Sequence, residues 1–238
     1  MVIASNSVVV SNITMDYIDH SDGNWVRLGR SRKIRALSDI SFSVNKGDVV
    51  ALVGRNGSGK STLLKGIAGL LRPTDGSIST QGRVILLAGV NPGFSMEATG
   101  RENILELARA YGIGKTELSE FAQSIIDFAD IGDAIDRRVK GYSGGMKGKL
   151  GFGFITALRP DVLLIDETLG VGDQEFRARA QDRLRGFVAI SGAVVMSTHS
   201  LGLARELCSR GLVIDRGEIV ADAEIEDAML AYRDLLNG

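Results

Sequence analysis

Gly54-Arg55-Asn56-Gly57-Ser58-Gly59-Lys60-Ser61-Thr62 is the stretch of the sequence that decides the fold. It fits the phosphate-binding loop pattern, in which a glycine is followed by four residues and then by Gly-Lys-Ser. The apolar run 49–53 leads into the loop and predicts a buried strand. A strand, a glycine loop and a helix in this order favour a phosphate-binding loop over a glycine-rich turn that binds nothing. The helix is predicted from apolar residues at helical spacing, Leu63, Leu64, Ile67, Leu70 and Leu71.

Each part of this loop has a chemical task. Glycines allow backbone N–H groups to turn toward a phosphate, and the N-terminus of the following helix adds a partial positive charge. Lys60 is predicted to reach the β- and γ-phosphates of a nucleotide, and the Ser61 hydroxyl is predicted to ligate Mg²⁺. The sequence therefore predicts a magnesium-dependent nucleotide site.

The composition excludes several other classes of protein. The 238 residues allow one large domain or a domain with a subdomain, and the net charge of −1 gives no overall attraction to nucleic acid. A single cysteine, Cys208, excludes an internal disulfide, and the two histidines, His20 and His199, exclude a histidine-rich metal site. There is no apolar run of the length that crosses a bilayer, and no basic region precedes the first apolar residues. The sequence thus predicts a cytosolic protein.

Apolar runs that alternate with helical patterns predict a mixed α/β fold. Val8–Val10 and Ile40–Val44 predict two strands before the phosphate loop, with a polar insertion of about residues 18–35 between them. After the first helix, Ile78 and Val84–Leu87 predict further strands.

The middle of the chain changes character. Thr99, with Glu102 three residues on, forms a capping-box pattern that predicts the start of a helix. Apolar side chains then recur at helical spacing as far as Phe128 and predict two helices. The sequence therefore predicts a small helical subdomain inserted in the α/β core. From about residue 150 the alternation returns, with a helix, then strands at 162–165, 193–196 and, as the last strand, 212–214, and a terminal helix over about 223–236.

Two adjacent carboxylates end the apolar strand Val162–Ile165. Ligands in parallel sheets lie beyond the carboxyl ends of the strands, which is where Asp166 and Glu167 fall. Asp166 is predicted to hold Mg²⁺, directly or through water. Glu167 is predicted to act as general base for the attacking water. An acidic cap on the following helix is the alternative.

Two weaker features lie on either side of this strand. A Ser143-Gly144-Gly145 step that opens a helix offers a hydroxyl and backbone N–H groups to an anion, although the same step occurs in many ordinary loops. His199 follows another strand end, within reach of the same phosphate.

Five motifs in one order resemble a known family. The phosphate loop, Tyr142–Gly145, Asp166-Glu167, Gly172-Asp173 and His199 resemble the nucleotide-binding subunit of an ATP-binding cassette (ABC) transporter. The resemblance covers residues 7–220. Within this family, three features look like the branch that exports cell-surface polysaccharides such as O-antigens, capsules and teichoic acids: Thr99–Ile104, Met146 after the glycines, and Val171–Asp173 with Phe176.

The resemblance implies a role for each matching residue. Asp166 resembles the Walker B aspartate that shares Mg²⁺ with Ser61, and Glu167 resembles the catalytic glutamate. His199 resembles the switch histidine on the γ-phosphate. Ser143–Gly145 resembles the signature that contacts ATP bound by a second copy, and Asp173 resembles the D-loop aspartate. The residues implied to bind ATP are Gly54, Asn56, Gly57, Ser58, Gly59, Lys60, Ser61, Thr62, Tyr17, Ser143, Gly144, Gly145 and Asp173.

Two positions leave alternatives open, and a third departs from the family pattern. Tyr17 is a candidate for the aromatic that stacks on adenine, but Trp25 competes with it, and an ordinary strand aromatic is a third possibility. The family's Q-loop usually places Gln, or Glu in this branch, about thirteen residues before the Glu-Asn of the helical subdomain, where this chain has Gly89. Asn91 or a water molecule is the candidate to fill that role. Met146 stands where the signature usually has glutamine.

The resemblance implies an α/β P-loop NTPase fold of the ABC type, with an antiparallel β edge and an inserted helical subdomain. The whole chain, 1–238, is expected to form one ATPase domain, with a RecA-like core over about 1–95 and 155–238 and the helical subdomain over about 96–154. Its function would be to bind and hydrolyse ATP, with Mg²⁺, for a bacterial exporter of polysaccharide or lipid-linked glycan. Two chains would sandwich two ATP molecules head to tail and drive a separate membrane-spanning permease, which would make most contacts with the glycan. The subunit would sit peripherally on the cytoplasmic face of the inner membrane.

Three other functions fit the sequence less well. A soluble ABC-type ATPase acting on the ribosome or DNA usually carries two cassettes or long coiled-coil insertions, which this sequence lacks. An unrelated phosphate-loop kinase would leave Ser143–Gly145 and His199 without a role. An ABC exporter of lipids or drugs is the closer alternative.

The insertion between the first two strands carries a one-sided charge. From Gly23 to Ser38 it contains five basic residues, no acidic residue, and Trp25 near its start. A solvated loop is the usual explanation for a short charge run. However, tryptophan with clustered cations is the composition favoured at a membrane–water boundary. We therefore hypothesise that residues 23–35 contact headgroups or the phosphate of a lipid-linked substrate.

Replacing Arg27, Arg30, Arg32 and Lys33 with glutamine tests this hypothesis. Each cation near an anionic leaflet contributes about 1 kcal/mol, so glycan export by the assembled transporter should fall. The isolated subunit should keep its basal ATPase rate. Unchanged export would support the solvated loop.

Overall fold

The computed structural model describes residues 6–19, 32–88, 91–166, 173–198 and 200–237. Several predicted functional residues lie outside this set, namely Glu167, His199, Gly89 and Trp25. The first part of the basic segment, up to residue 31, also lies outside it.

The described residues form nine strands and seven α-helices. The strands are β1 (Asn6–Asp19), β2 (Arg32–Asn45), β3 (Val49–Val53), β4 (Asp75–Thr80), β5 (Val84–Leu87), β6 (Val162–Asp166), β7 (Ala193–Ser197), β8 (Arg210–Asp215) and β9 (Glu218–Glu224). The helices are α1 (Lys60–Ile67), α2 (Gly100–Ala110), α3 (Leu118–Ala129), α4 (Gly144–Ala157), α5 (Gln174–Ile190), α6 (Leu201–Leu207) and α7 (Ile225–Asn237).

The chain divides into two compact units. The first draws its described residues from Met1–Leu86, Pro160–Glu167 and Ser191–Gly238, and the second draws them from Leu87–Arg159 and Thr168–Ile190. The assignment of all 238 residues to one ATPase domain with the boundaries given above stays a prediction.

Two sheets build the first unit. One is antiparallel with strand order β2-β1-β4, and the other has the order β5-β6-β7-β3-β8-β9. In the larger sheet β3 pairs in parallel with β7 and β8, β6 pairs in parallel with β7, and β9 runs antiparallel to β8. The parallel strands are almost entirely apolar because they are buried on both faces. Because β3, β6 and β7 run in the same direction, their carboxyl ends lie at the same edge of the sheet.

The first hairpin is longer than the sequence predicts. The polar insertion was expected over about residues 18–35, but β1 reaches Asp19 and β2 begins at Arg32. Tyr17 pairs with Ile34 across the hairpin, and Arg35 forms an ion pair with Asp16 at 3.1 Å. Cross-strand pairing carries the two strands past Tyr17, where the alternation of Ile13, Met15 and Tyr17 with polar residues ends.

Helix α1 is shorter than predicted. It ends at Ile67, so the prediction that the helix continues through Leu70 and Leu71 was wrong, and the Leu70 side chain is 66% exposed. Gly69 adopts a positive φ of 74°, and the Leu70 N–H donates to the Lys65 carbonyl at 2.9 Å. This pattern is a Schellman motif, which ends a helix at a glycine.

Four helices build the second unit. The capping box at Thr99 is confirmed, since its hydroxyl accepts from the Glu102 N–H and the Glu102 carboxylate accepts from the Thr99 N–H. Aromatic rings form the core between the helices. Phe152 stacks on Phe128 at 5.9 Å, and both rings contact Phe176 of α5 edge-on.

The C-terminal part of the chain holds two elements that the sequence analysis missed. The prediction that residues 212–214 form the last strand was wrong. They belong to β8, and a turn at Arg216 and Gly217, both with positive φ, leads from β8 into a further strand, β9. Helix α6 was also missed. Helix α4 begins at Gly144, as expected from the Ser143-Gly144-Gly145 step. Within the part of the chain that the structure describes, no helix has both the length and the apolar character needed to cross a membrane.

Candidate functional site

The loop after β3 is shaped by two close approaches of its backbone. A Cβ atom on Gly54 would lie 2.2 Å from the Ile214 carbonyl oxygen, and one on Gly59 would lie 2.5 Å from Leu37 Cδ2. Gly59, the residue before α1, also has a φ of 113°, a conformation that other residues rarely adopt. Glycine is therefore required at both positions for geometric reasons.

Lys60 is a buried cation at the start of α1. Its side chain is only slightly exposed, and its Nζ donates to the carbonyl oxygens of Gly54 at 2.7 Å and Arg55 at 3.0 Å. Burial lowers the pKa of the Lys60 ammonium, whereas the charge of Asp166 raises it. The loop thus wraps around a positive charge that would be better stabilised by an anion.

A hydroxyl and a carboxylate meet beside this lysine. Ser61 Oγ donates to Asp166 Oδ1 at 3.0 Å, at the carboxyl end of β6. These are the oxygen ligands that Mg²⁺ prefers. The described residues contain no cluster of three or more His, Cys, Asp or Glu side chains that could hold a metal. The Ser61 and Asp166 oxygens fit a magnesium ion that completes its coordination with phosphate and water.

Other groups of the loop also fit a phosphate. Gly59, the residue before α1, has no side chain with which to cap the helix. The buried Ser58 hydroxyl has no hydrogen-bond partner among the described residues. Both features leave donors available at a helix N-terminus, where an anion is stabilised. Asn56 and Gly57 lie on the exposed tip of the loop.

Tyr17 lies next to the first turn of α1. Its hydroxyl donates to Thr62 Oγ1 at 3.1 Å, and its side chain is 39% exposed. It is a strand residue of β1 with an accessible ring, which is compatible both with adenine stacking and with an ordinary strand aromatic. Trp25 is outside the described residues, so the choice between the two aromatics stays open.

The second unit contains the other group of predicted residues. Ser143 precedes α4, and its Oγ accepts from the Met146 N–H at 3.2 Å. A Cβ atom on Gly144 would meet no atom within 4 Å, so the first turn of α4 is open. A cavity of about 510 Å³ lies against this turn. It is lined by Asp130, Ile131, Ser143, Gly145, Met146, Lys149 and Asp173.

Asp173 has two partners that the sequence analysis did not predict. Its Oδ1 accepts from the Phe176 N–H at 2.8 Å and so caps α5, and its Oδ2 accepts from Lys149 Nζ at 2.8 Å. The Lys149 ammonium, followed by the Phe176 N–H, lowers the pKa of the Asp173 carboxyl from 3.8 to about 2. An aspartate three residues before Phe176 is the sequence signal for the cap, but no local signal indicated Lys149.

Asn91, the candidate substitute for the Q-loop glutamine, uses its oxygen within its own loop. Its Oδ1 accepts from the N–H groups of Gly93 at 3.0 Å and Phe94 at 2.9 Å. Because these bonds occupy the oxygen, a metal ligand role for Asn91 would require the turn to open.

The described site residues thus form two groups. Lys60, Ser61, Thr62, Asp166 and Tyr17 lie together in the first unit, and Ser143, Gly145 and Asp173 line one cavity in the second. The first group can hold a phosphate and a divalent cation. The second offers a hydroxyl and a helix N-terminus to an anion.

Comparison with known proteins identifies relatives of the whole chain. The family model described as ABC transporter matches residues 37–170. An O-antigen export system ATP-binding protein, RfbB, from Klebsiella pneumoniae is 36% identical over 238 residues, which cover 95% of this chain and 97% of RfbB. A teichoic acids export ATP-binding protein, TagH, from Staphylococcus haemolyticus is 33% identical over 238 residues, which cover 98% of this chain and 90% of TagH.

Two solved structures have the same fold. An ATP-binding subunit of an ABC transporter matches with a TM-score of 0.74 and 24% identity, covering 95% of this chain and 94% of the other. A dimeric ATP-binding cassette in a post-hydrolysis state with ADP and Pi matches with a TM-score of 0.71 and 20% identity, covering 92% and 98%. The fold predicted from the sequence is confirmed.

The ion pair of Asp173 predicts a pH dependence of stability. Because the folded-state pKa of about 2 lies below the ordinary 3.8, the contribution of this carboxylate is complete above 3.8 and is lost as the pH falls through about 2. Asp173→Asn keeps a capping side chain and removes only the charge. At about pH 6 the free energy of unfolding should be larger for wild type than for Asp173→Asn. At about pH 3 the difference between the two proteins should be smaller.

Urea unfolding of both proteins at several pH values gives the measurement. The control repeats the pair in a Lys149→Met background, where the difference should be small at every pH because the ammonium is gone. A difference that is independent of pH, or that persists without Lys149, would contradict the assigned cause.

Proposed function

The chain belongs to the ABC transporter family, and from this we propose that it is the ATP-hydrolysing subunit of a bacterial exporter of cell-surface polysaccharide or lipid-linked glycan. One observation carries the ATPase assignment. The buried Lys60 ammonium lies beside the Ser61–Asp166 pair, so a cation for phosphate and two oxygen ligands for a metal occur together. The relatives whose names specify O-antigen and teichoic acid export support the substrate class.

The first unit performs the binding step. Lys60 would exchange its carbonyl partners for the β- and γ-phosphates of ATP, and the open first turn of α1 would donate backbone N–H groups to them. Ser61 and Asp166 would hold Mg²⁺, which when bound neutralises charge on the phosphates. Tyr17 would support the adenine ring from β1.

Glu167 and His199 would complete the chemistry. Glu167 directly follows Asp166, and in this role it accepts a proton from the attacking water. His199, two residues after β7, would donate to the γ-phosphate. The chain's own residues thus bind the phosphates, orient the water and accept its proton.

We propose that the complete site needs two copies of the chain. Each chain has one phosphate loop and one Ser143–Gly145 segment, and the open turn at Ser143 offers donors to an anion within its own unit. Two chains arranged head to tail would place each Ser143 segment against the ATP of the other. A cassette with the same fold has been solved as a dimer, which is in keeping with this arrangement.

The exporter would also need a membrane permease. The RfbB and TagH relatives are named as ATP-binding proteins of export systems, which implies a separate transport subunit. This chain would bind that permease at the cytoplasmic face of the inner membrane, and the permease would make the main contacts with the glycan.

Glu167→Gln tests the catalytic assignment. Glutamine keeps the size of the side chain and loses the base, so kcat should fall by about 100-fold or more while ATP still binds. The bound chains should accumulate as a stable dimer. ATPase rate and mass in solution with Mg-ATP measure both effects.

The control for this variant is Glu175→Gln, which changes an exposed glutamate in the first turn of α5. Its ATPase rate should match that of wild type. Near-normal turnover by Glu167→Gln would refute the role of Glu167 as base.

Ser143→Arg tests the shared site. A bulky cation at this position would block the partner's γ-phosphate pocket, although each chain keeps its own phosphate loop. Hydrolysis should fall by about 100-fold, and nucleotide affinity of the monomer should be unchanged. Equilibrium binding and steady-state ATPase assays separate the two effects.

Ser119→Arg, on the exposed face of α3 in the same unit, is the matched control and should hydrolyse ATP normally. A Ser143→Arg protein that stays fully active would show that each chain works alone.

A further inference from the structure

Asn103 is a buried polar side chain with a complete set of partners. It lies in α2 and is 2% exposed. Its Oδ1 accepts from the Ser95 N–H at 2.7 Å, and its Nδ2 donates to the carbonyl oxygens of Ser95 at 3.0 Å and Thr99 at 2.8 Å. The carboxamide therefore pairs with both backbone groups of Ser95, as a neighbouring strand would.

These bonds are not needed to start α2. The capping box of Thr99 and Glu102 already satisfies the first N–H groups of the helix. Asn103 instead fixes the loop that precedes the helix, residues 95–99. A buried amide that only stabilised its own helix would not bond to a residue eight positions earlier.

The loop fixed by Asn103 pairs with a second segment, residues 138–140. The Lys140 N–H donates to the Met96 carbonyl at 2.9 Å, and the Val139 N–H donates to the Ala98 carbonyl at 3.0 Å. Thr99 and Arg138 form an antiparallel bridge. Side chains add to the pairing, since Glu97 contacts Lys140 Nζ at 2.8 Å and Arg138 Nη1 at 3.3 Å. We call residues 95–99 and 138–140 together the clasp.

The clasp leads directly to Ser143. The Tyr142 N–H donates to the Val139 carbonyl at 3.0 Å, and the buried Tyr142 hydroxyl donates to the Ala134 carbonyl at 2.6 Å. The Tyr142 ring is also packed against the start of α2, because a Cβ atom on Gly100 would lie 2.3 Å from its hydroxyl oxygen. Ser143 comes next and caps α4. Between the clasp and Ser143 there are only two residues, and Tyr142 is held on both sides.

We propose that Asn103 is a positioning residue for ATP hydrolysis, which it influences by holding the clasp that sets the position of Ser143. The proposal rests on the proposed function, in which Ser143 contacts the ATP of a second chain. The hydrogen-bond partners of Asn103, Ser95 and Thr99, lie in its own unit and are not among the residues proposed to bind the nucleotide. Its loss would leave nucleotide binding by the first unit intact and would disturb the presentation of Ser143. A displacement of the loop 95–99 would reach Ser143 through its backbone bonds to residues 139 and 140.

Asn103→Leu tests the proposal in the full-length chain with Mg-ATP. Leucine is similar in size and cannot form the three hydrogen bonds, so the loop 95–99 is released. We expect kcat to fall by about tenfold or more, because small displacements of a positioning group have large kinetic effects. The ATP affinity of the monomer should stay within about twofold of wild type, because the phosphate loop is unchanged. A merely structural role would change the unfolding midpoint and leave kcat per folded molecule unaltered.

Thr156→Val is the matched control for buried hydrogen bonds. Thr156 lies in the same unit at the far end of α4, where its hydroxyl donates to the Phe152 carbonyl at 2.7 Å and accepts from Arg183 Nε at 3.1 Å. Its substitution should lower stability and leave kcat at the wild-type value. A kcat in Asn103→Leu within about twofold of wild type would overturn the proposal.

A surface charge exchange tests the clasp without disturbing the core. The side chains of Glu97, Arg138 and Lys140 are all exposed. Glu97→Lys replaces the anion between two cations with a third cation, and the repulsion should open the clasp. The kcat should fall by about threefold and should recover in the double variant Glu97→Lys/Lys140→Glu, which restores opposite charges. If Asn103→Leu does not fold, this pair decides the question. An unchanged kcat in Glu97→Lys would overturn the clasp.

The two proposals fail in different ways. A wild-type chain that neither binds nor hydrolyses ATP would refute the proposed function. If wild type hydrolyses ATP and Asn103→Leu hydrolyses it at the same rate, only the role of the clasp is refuted.

Discussion

The first unit is built around a buried positive charge. Removing an ammonium from water is expensive unless dipoles or anions replace the lost hydration. Here the carbonyl oxygens of Gly54 and Arg55 replace it, and they can point at Lys60 Nζ only if the loop turns tightly. This tight turn requires glycine at two positions: at Gly59, where the loop approaches β2, and at Gly54, where it approaches β8. Carbonyl groups are partial charges, so the lysine remains under-compensated and its pKa is lowered. A phosphate supplies the full negative charge that this loop lacks, which explains why the same constraint gives both the fold of the loop and its ligand.

Local rules made the core of this structure predictable from the sequence. The strand, loop and first helix follow from glycine conformations and apolar spacing, and the capping box at Thr99 follows from two residues three positions apart. The same kind of rule, applied more carefully, would have ended α1 before Gly69, because a glycine in a left-handed conformation ends a helix. In contrast, the extension of the first hairpin past Tyr17 depends on partners across the sheet, and β9 depends on its pairing with β8. No local pattern reports such pairing.

The same distinction applies to the candidate site. Lys60, Ser61, Asp166 and Ser143 could be named because each belongs to a motif whose chemistry is visible in the order of the residues. Lys149 could not be named, because its ion pair joins residues 24 positions apart. Asn103 belongs to the Glu-Asn pair of the family pattern, but its bonds to the loop before the helix could not be inferred from the sequence. Polar side chains that act inside a fold are recognised only when burial and partners are known together, since burial without partners would be destabilising.

Met146 can stand where the family usually has glutamine because the cap of α4 uses the backbone of this residue and not its side chain. Ser143 Oγ accepts a hydrogen bond from the Met146 backbone N–H, a group that every residue except proline supplies. A hydroxyl has one donor and two acceptor sites, so a Ser143 oxygen that accepts from the helix keeps its own hydrogen free for an anion. The cap also fixes the side chain in the direction of the first turn of α4, where the dipole of the helix favours negative charge. For this cap, position 146 needs only a backbone N–H, and methionine supplies that group as glutamine would.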